Sequence, residues 1–473
     1  MPGVSDTLVN NGQANKQKEL NKEEDWSFAN LKPSQTLWGP HGYHRYPAKF
    51  IPQLVRRIIE SYSTVNSLVG DPFLGSATTG IEALRTGRAF WGADINPVAL
   101  LISRAKCHPV DLLEIRNSWR RLDKQLDRLP HIGRRALTTA EKTSIQAINI
   151  SRASPEQRLA YWFPSAHRAT LEQLLQVITR LRNADVRTFF LCAFSNVLRS
   201  CSIWLSGSTK PQKDLTKILS DPLDSFRRQV RDMLRRNQLY WTDLTGSQIN
   251  PSDVSSSCAL ELQDVRQLPL DDGQLDLVVT SPPYATCYQY LELHQLTQLW
   301  FERHQIIESN DLRHACIGGK DISTREGDDA NSSTGSKTAD HALASLARRR
   351  KGIVANTVDR EVRALRYYFR DMHAAIKEMA RVTARGKYLV LIIGDSYKRG
   401  INLPTSAALS EMAVAAGFEM ERKIVRKVPA RVLVSTRDQK TGRFSSVERS
   451  DTRVYPEEDI LIFKRARTQI NGW

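Results

Sequence analysis

Between Ser67 and Asp94 the chain passes twice from a short apolar run into a small-residue turn, and this stretch limits the fold more than any other. Ser67-Leu68-Val69-Gly70 runs into Asp71, Pro72 to Gly80 supplies small residues, and Ile81 to Thr86 reads as helix. Phe90-Trp91-Gly92-Ala93 is a second short strand that ends on Asp94. A strand, small-residue loop, helix and second strand closed by an acid predict a βαβ unit of an open α/β sheet. Such a unit holds a nucleoside-bearing ligand, with the distal carboxylate on its ribose. The G-x-G-x-x-G spacing is missing, which disfavours a dinucleotide, and no Gly-Lys-Ser/Thr follows the loop.

About two hundred residues on, Leu275, Leu277, Val278 and Val279 read as a buried strand that Thr280-Ser281-Pro282-Pro283-Tyr284 stops abruptly. Two prolines fix φ and remove two backbone donors, so the carbonyls of Ser281 and Pro282 remain available as acceptors. Tyr284 adds a flat face with a polar tip, suited to stacking on a planar ring. Rigid acceptors beside an aromatic surface describe a site for an exocyclic amino group; a strand-ending turn with a core tyrosine is the plain alternative.

The order of these segments carries a family resemblance. Asp71-Pro72-Phe73-Leu74-Gly75-Ser76-Ala77-Thr78-Thr79 resembles the S-adenosylmethionine loop of DNA amino-methyltransferases, and Thr280 to Tyr284 resembles their catalytic loop. His41-Gly42-Tyr43-His44-Arg45-Tyr46-Pro47-Ala48-Lys49-Phe50-Ile51-Pro52 resembles their amino-proximal cofactor motif. Leu262-Gln263-Asp264 is similar to the segment whose acid meets the adenine, and Gly386 to Asp395 and Glu458 to Lys464 are similar to later strands. The resemblance implies a Rossmann-like class I methyltransferase sheet with helices on both faces, interrupted by a large, mostly helical insertion. It implies S-adenosyl-L-methionine held by Tyr46, Lys49, Phe50, Asp71, Phe73, Gly75, Ser76, Thr78, Thr79, Asp94, Ile95 and Asp264, and catalysis by Ser281, Pro282, Pro283 and Tyr284. Ala77 stands where the family usually has a second glycine, so a methyl group is expected to crowd the cofactor.

In that family a serine before the prolines is found more often in cytosine-N4 enzymes. The expected function is therefore site-specific methylation of cytosine N4 in double-stranded DNA, with the target base flipped out onto Tyr284, in a restriction-modification or related defence system with a cognate endonuclease. An adenine-N6 enzyme, an RNA amino-methyltransferase and a non-catalytic DNA-binding protein on the same scaffold stay open.

The 473 residues carry a net charge of +17, which points to a polyanionic partner. Residues 105–255 hold 24 Lys+Arg against 14 Asp+Glu, and residues 421–450 hold 9 against 3. Both lie outside the motifs, which favours phosphate contact there. The paired arginines Arg227-Arg228 and Arg235-Arg236 are candidates for it. Six scattered cysteines without a CxxC pair indicate neither a disulfide framework nor a metal site; Cys287, near the catalytic loop, reads as packing rather than as a nucleophile. With no apolar run of about 18 residues, a cytoplasmic protein without membrane contact is expected.

The expected organisation is a mobile polar arm over 1–30, a cofactor half over 31–106, and a helical insertion with its own core over 107–257 as candidate DNA-recognition domain. The catalytic half covers 258–305. A polar insertion over 306–354 is expected to be partly disordered, its low-complexity stretch running from Asp321 to Ala342. Residues 355–473 complete the catalytic domain and carry a basic hairpin at 428–454.

Overall fold

The computed structural model describes residues 26–46, 49–208, 210–285, 290–308, 312, 315–318, 332–348, 355–427, 436–437, 444–445 and 457–467. Seven strands form one sheet: β1 Leu68–Asp71, β2 Ala89–Asp94, β3 Cys258–Leu262, β4 Leu275–Thr280, β5 Thr383–Ile393, β6 Phe418–Lys427 and β7 Glu457–Arg465. Their order is β3-β2-β1-β4-β5-β7-β6, parallel as far as β5, with β7 antiparallel to both β5 and β6. The expected α/β sheet is present, and its order reverses between β1 and β4, where ligands of open sheets sit.

Side chains along the central strands alternate between two apolar layers, as strand geometry requires. Leu277, Val279, Val390, Ile392, Ile460 and Ile462 join helices α1 (Pro52–Tyr62) and α2 (Thr78–Arg85) on one face. Val278, Leu389, Leu391, Ile393, Leu461 and Phe463 point to the other face.

Helix α3 (Pro97–Cys107) starts with Pro97 behind an Asn96 cap whose side chain accepts from the Val98 N–H. The insertion then folds as α4 Leu112–Leu126, α5 Thr139–Gln146, α6 Pro155–Trp162, α7 Ser165–Thr179, α8 Ala184–Val197 and α9 Pro222–Gly246. Its apolar stripe Leu171, Leu174, Leu175 and Ile178 is fully buried. Contrary to expectation its core is not its own: Val98, Ile102 and Ala105 of α3 and Leu296, Trp300 and Phe301 of α10 (Tyr290–Arg303) belong to the same cluster. An amphipathic helix buries its stripe against whatever the chain brings beside it, and here that includes α3 and α10.

Two boundaries also move. Trp26 is buried, and the Arg57 guanidinium lies over its ring and that of Phe28, so the last residues of the expected arm are packed; 1–25 lie outside the described residues. The stretch expected to be disordered ends instead in α11 (Lys337–Ala347), which buries Ala339, Ala342, Leu343 and Leu346. These four residues recur at helical spacing, and they pack with α12 (Ala355–Val382) and α13 (Thr405–Ala415). Of the basic hairpin segment 428–454, Thr436–Arg437 and Phe444–Ser445 pair antiparallel, and the rest lies outside the described residues. No helix among the described residues is long and apolar enough to cross a membrane.

Candidate active site

The two loops quoted from distant sequence meet at the ends of β1 and β4, which pair through Val69 with Leu277 and Gly70 with Val278. Asp71, 1% exposed, joins them. Its carboxylate accepts from the Thr280 hydroxyl at 2.6 Å, the Thr79 hydroxyl at 2.8 Å and the Phe73 N–H at 3.1 Å. Burial pushes its pKa up to about 7, against the pull of those three donors. These three bonds tie Asp71 to both loops.

Beyond Asp71 the chain turns through two left-handed residues, Gly75 (φ 52°) and Ala77 (φ 57°). The turn brings the Gly75 N–H to Asp94 Oδ2 and the Asn96 N–H to Asp94 Oδ1, both at 2.8 Å. Desolvation raises the Asp94 pKa, and these N–H groups oppose it. From beneath, α3 holds the loop: Ser103 donates to the Gly75 carbonyl and the buried Lys106 ammonium to the Ser76 carbonyl. Thr78 opens α2, and Ile95, half-buried, follows Asp94 out of the sheet.

Ala77 is fully buried in the apolar cluster of Leu74 and Ile81, so its methyl group packs within the protein. Its cost is the left-handed backbone, about 1–2 kcal/mol for an L-residue. Ala77→Gly relieves that cost but loses a buried methyl, about 0.8 kcal/mol, and adds unfolded-state entropy. We expect the midpoint of urea unfolding to change by less than about 1 kcal/mol in free-energy terms and cofactor affinity by less than about twofold; a large affinity gain would place the methyl in the pocket.

The amino-proximal motif divides. Tyr46 covers the loop: a Cβ on Gly75 would lie 3.5 Å from its ring and 3.6 Å from its hydroxyl. Lys49 donates to the His41 carbonyl at 2.6 Å, and burial lowers its pKa to about 6. Phe50 packs against the apolar layer of α1, while Pro47 and Ala48 lie outside the described residues. His41 in turn meets Glu82 at 2.7 Å, and Arg85 bridges Glu82 to Asp243 on α9, so the motif is fastened to α2 and the insertion. Asp264, past the end of β3, is gripped by Arg266, which also reaches Asp371 on α12.

In the proline loop Pro282 is buried, Ser281 is partly exposed, and Pro283 and Tyr284 are half-buried. Phe73 and Tyr284 pack against the same apolar layer. The Tyr284 hydroxyl donates to Glu458 Oε1 at 2.8 Å. Cys287 lies outside the described residues.

Three buried polar atoms around the cofactor loop make no hydrogen bond among the described residues: Ser76 Oγ, Asn96 Nδ2 and His294 Nε2. Leaving such groups unmatched costs about 1–3 kcal/mol each, so their presence beside Gly75 and Asp94 fits a polar ligand. The His294 ring on α10 lies 5.0 Å from that of Tyr46, tilted 37° to it, and burial lowers its pKa to about 3, keeping it neutral. Sequence reasoning missed it; an isolated histidine on a helix carries no signal until Tyr46 is placed beside it. Glu458 was legible only as part of a strand.

The arginine pairs of the insertion are less available than expected. Arg227 donates to Asp123 at 2.7 Å and to Asp127 at 2.5 Å, Arg235 and Arg236 both pair with Asp232, and Arg236 also reaches the Leu37 carbonyl. Lys217 donates to the carbonyls of Arg199, Ser202 and Trp204 in the turn that follows α8. These charges hold the insertion together. Among the described residues the cysteines are free thiols.

A family model described as DNA methylase matches residues 5–104. Over 406 residues the chain is 25% identical to the type II methyltransferase M.MvaI of Kocuria varians, covering 82% of this chain and 84% of that protein. A shorter match, 43% over 54 residues, joins it to the DNA adenine methyltransferase YhdJ of Escherichia coli, covering 11% of this chain and 18% of YhdJ. Among solved structures, a SAM-dependent methyltransferase from Methanosarcina mazei aligns over 90% of this chain and 100% of its own, with a TM-score of 0.28 and 9% identity.

Proposed function

We infer that this chain, similar to the DNA amino-methyltransferases in motif order and in sequence, transfers a methyl group from S-adenosylmethionine to an exocyclic amino nitrogen of a base in DNA. The observation that carries the reading is the Thr280 to Asp71 hydrogen bond of 2.6 Å, which sets the acceptor loop beside the cofactor loop. Bound there, the cofactor supplies an electrophilic methyl on a sulfonium. Asp94 would hold its ribose, and Ser76, Asn96 and His294 would offer further polar contacts.

An amino nitrogen conjugated to a ring is a poor nucleophile because its lone pair is delocalised. Acceptors at Ser281 and at the Pro282 carbonyl take hydrogen bonds from its two protons and free the lone pair. With the cofactor bound, nitrogen would bond to its methyl carbon as the carbon–sulfur bond broke with its electrons left on sulfur, and the surplus proton would pass to water. The loop contributes orientation and dipoles aimed at positive charge developing on nitrogen. A paired base cannot offer this group, so it leaves the duplex and stacks on Tyr284.

Ser281 favours cytosine N4 as the acceptor. The similarity to an adenine methyltransferase favours adenine N6 as the second reading. A restriction-modification setting, with an endonuclease of the same specificity, goes with either. The test is incubation of labelled S-adenosylmethionine with unmethylated duplex DNA and with RNA, followed by digestion to nucleosides and mass spectrometry. N4-methylcytosine is expected; N6-methyladenine alone would establish the second reading, and label confined to RNA would overturn the DNA assignment. Absence of cofactor binding in calorimetry would overturn the enzyme reading altogether.

A further inference from the structure

Glu458 follows Glu457 at the start of β7 and is the register partner of Arg426 near the end of β6. One carboxylate oxygen accepts the Tyr284 hydroxyl at 2.8 Å, and the other faces Arg426 Nε at 3.6 Å. Both side chains are largely withdrawn from water, Glu458 at 17% and Arg426 at 3% exposure. A run of contacts therefore leads from the loop after β4, past β5, to the outermost strand of the sheet.

We propose that Glu458 is a positioning residue that fixes the plane of the Tyr284 ring. The proposal rests on the reading of Tyr284 as the surface that receives the base. A tyrosine side chain turns about two torsions, and stacking needs one ring face held still. The backbone fixes only the Cβ end; a bond at the hydroxyl fixes the other. An ionised acceptor makes this bond roughly twice as strong as a neutral one. Arg426 holds the carboxylate in place and balances its charge in a half-buried site, where an uncompensated carboxylate is costly. Glu458 acts through the Tyr284 hydroxyl, so its loss is expected to lower turnover and to leave the cofactor loop alone.

Two measurements test this on the full-length protein. The first follows methyl transfer to unmethylated DNA. Glu458→Ala is expected to lower kcat by about 10- to 100-fold with the cofactor Kd within about twofold. Glu458→Gln, whose amide oxygen still accepts, recovers most of the rate, and Glu458→Ala combined with Tyr284→Phe is no slower than the worse single variant. Parallel loss of kcat and cofactor binding, or additive losses in the double variant, would overturn the proposal.

The second measurement needs no activity: fluorine NMR of protein containing 3-fluorotyrosine, with the Tyr284 resonance identified by its loss in Tyr284→Phe. That resonance is expected to shift in Glu458→Ala and return toward its wild-type position in Glu458→Gln. A resonance indifferent to Glu458→Ala overturns the anchor. A wild-type protein that transfers no methyl group, yet shows the shift, faults the reading of function and not the anchor.

Discussion

Tyr284→Ala is expected to reduce turnover on DNA by about 100-fold, and Ser281→Ala by a similar factor, with cofactor affinity changed by no more than about twofold in each. Loss of one base-stacking face costs about 1–3 kcal/mol, and loss of one preorganised partner of a developing charge costs about 10²–10³ in rate. Both interactions belong to the bound base, whereas the cofactor loop is held by Asp71, Asp94, Ser103 and Lys106. The check pairs kcat for labelled methyl transfer with calorimetric Kd for the cofactor. Equal losses in both would make the proline loop a structural turn. A full rate in Ser281→Ala with a slow Tyr284→Ala would shift the acceptor role from the serine side chain to the backbone carbonyls.

The largest effect on stability is expected at Asp71. Asp71→Ala leaves the hydroxyls of Thr79 and Thr280 and the Phe73 N–H without their acceptor in a buried site. At about 1–3 kcal/mol for each stranded donor the sum is on the order of 5 kcal/mol. That rivals the whole stability of a domain, about 5–15 kcal/mol. Urea unfolding of Asp71→Ala should therefore begin at far lower denaturant than in wild type.

Asp71→Asn keeps an acceptor and removes the charge. Because the folded pKa of Asp71 is raised to about 7, the folded state binds its proton more tightly than the unfolded chain. The stabilisation so obtained is complete below about pH 4 and is lost as pH rises to about 7. Between pH 5 and pH 8 wild type should lose stability relative to Asp71→Asn. A constant difference over that range would mean that the carboxylate is already ionised at pH 5.

Much of the central architecture was legible from contiguous residues, for reasons of backbone chemistry. The alternation along β4, the small residues before α2, the proline at the start of α3 and the double proline after Thr280 each act within a few residues, where spacing and φ decide the outcome. The same locality explains two errors. The Asp321 to Ala342 stretch looked unstructured by composition, yet its end, within the residues described from 332 on, enters a helix whose Ala339, Ala342, Leu343 and Leu346 find an apolar surface supplied by α12 and α13. The insertion looked self-contained, yet α3 and α10 complete its core.

What the sequence determined by itself was the order of the motifs, the strand ends on which they sit and the residue types offered there: acid, small residue, proline-stiffened acceptor and aromatic ring. Only the tertiary structure decided how those groups are spent. Asp71 finds Thr280 at 209 residues' distance, and Tyr284 finds Glu458 at 174. Arg227, counted as charge for a polyanion, turns out to neutralise the carboxylate of Asp123, 104 residues away. Periodicity and backbone restriction are properties of neighbouring residues. A hydrogen bond or ion pair depends on which distant strand or helix the chain brings back, and no local pattern encodes that partner.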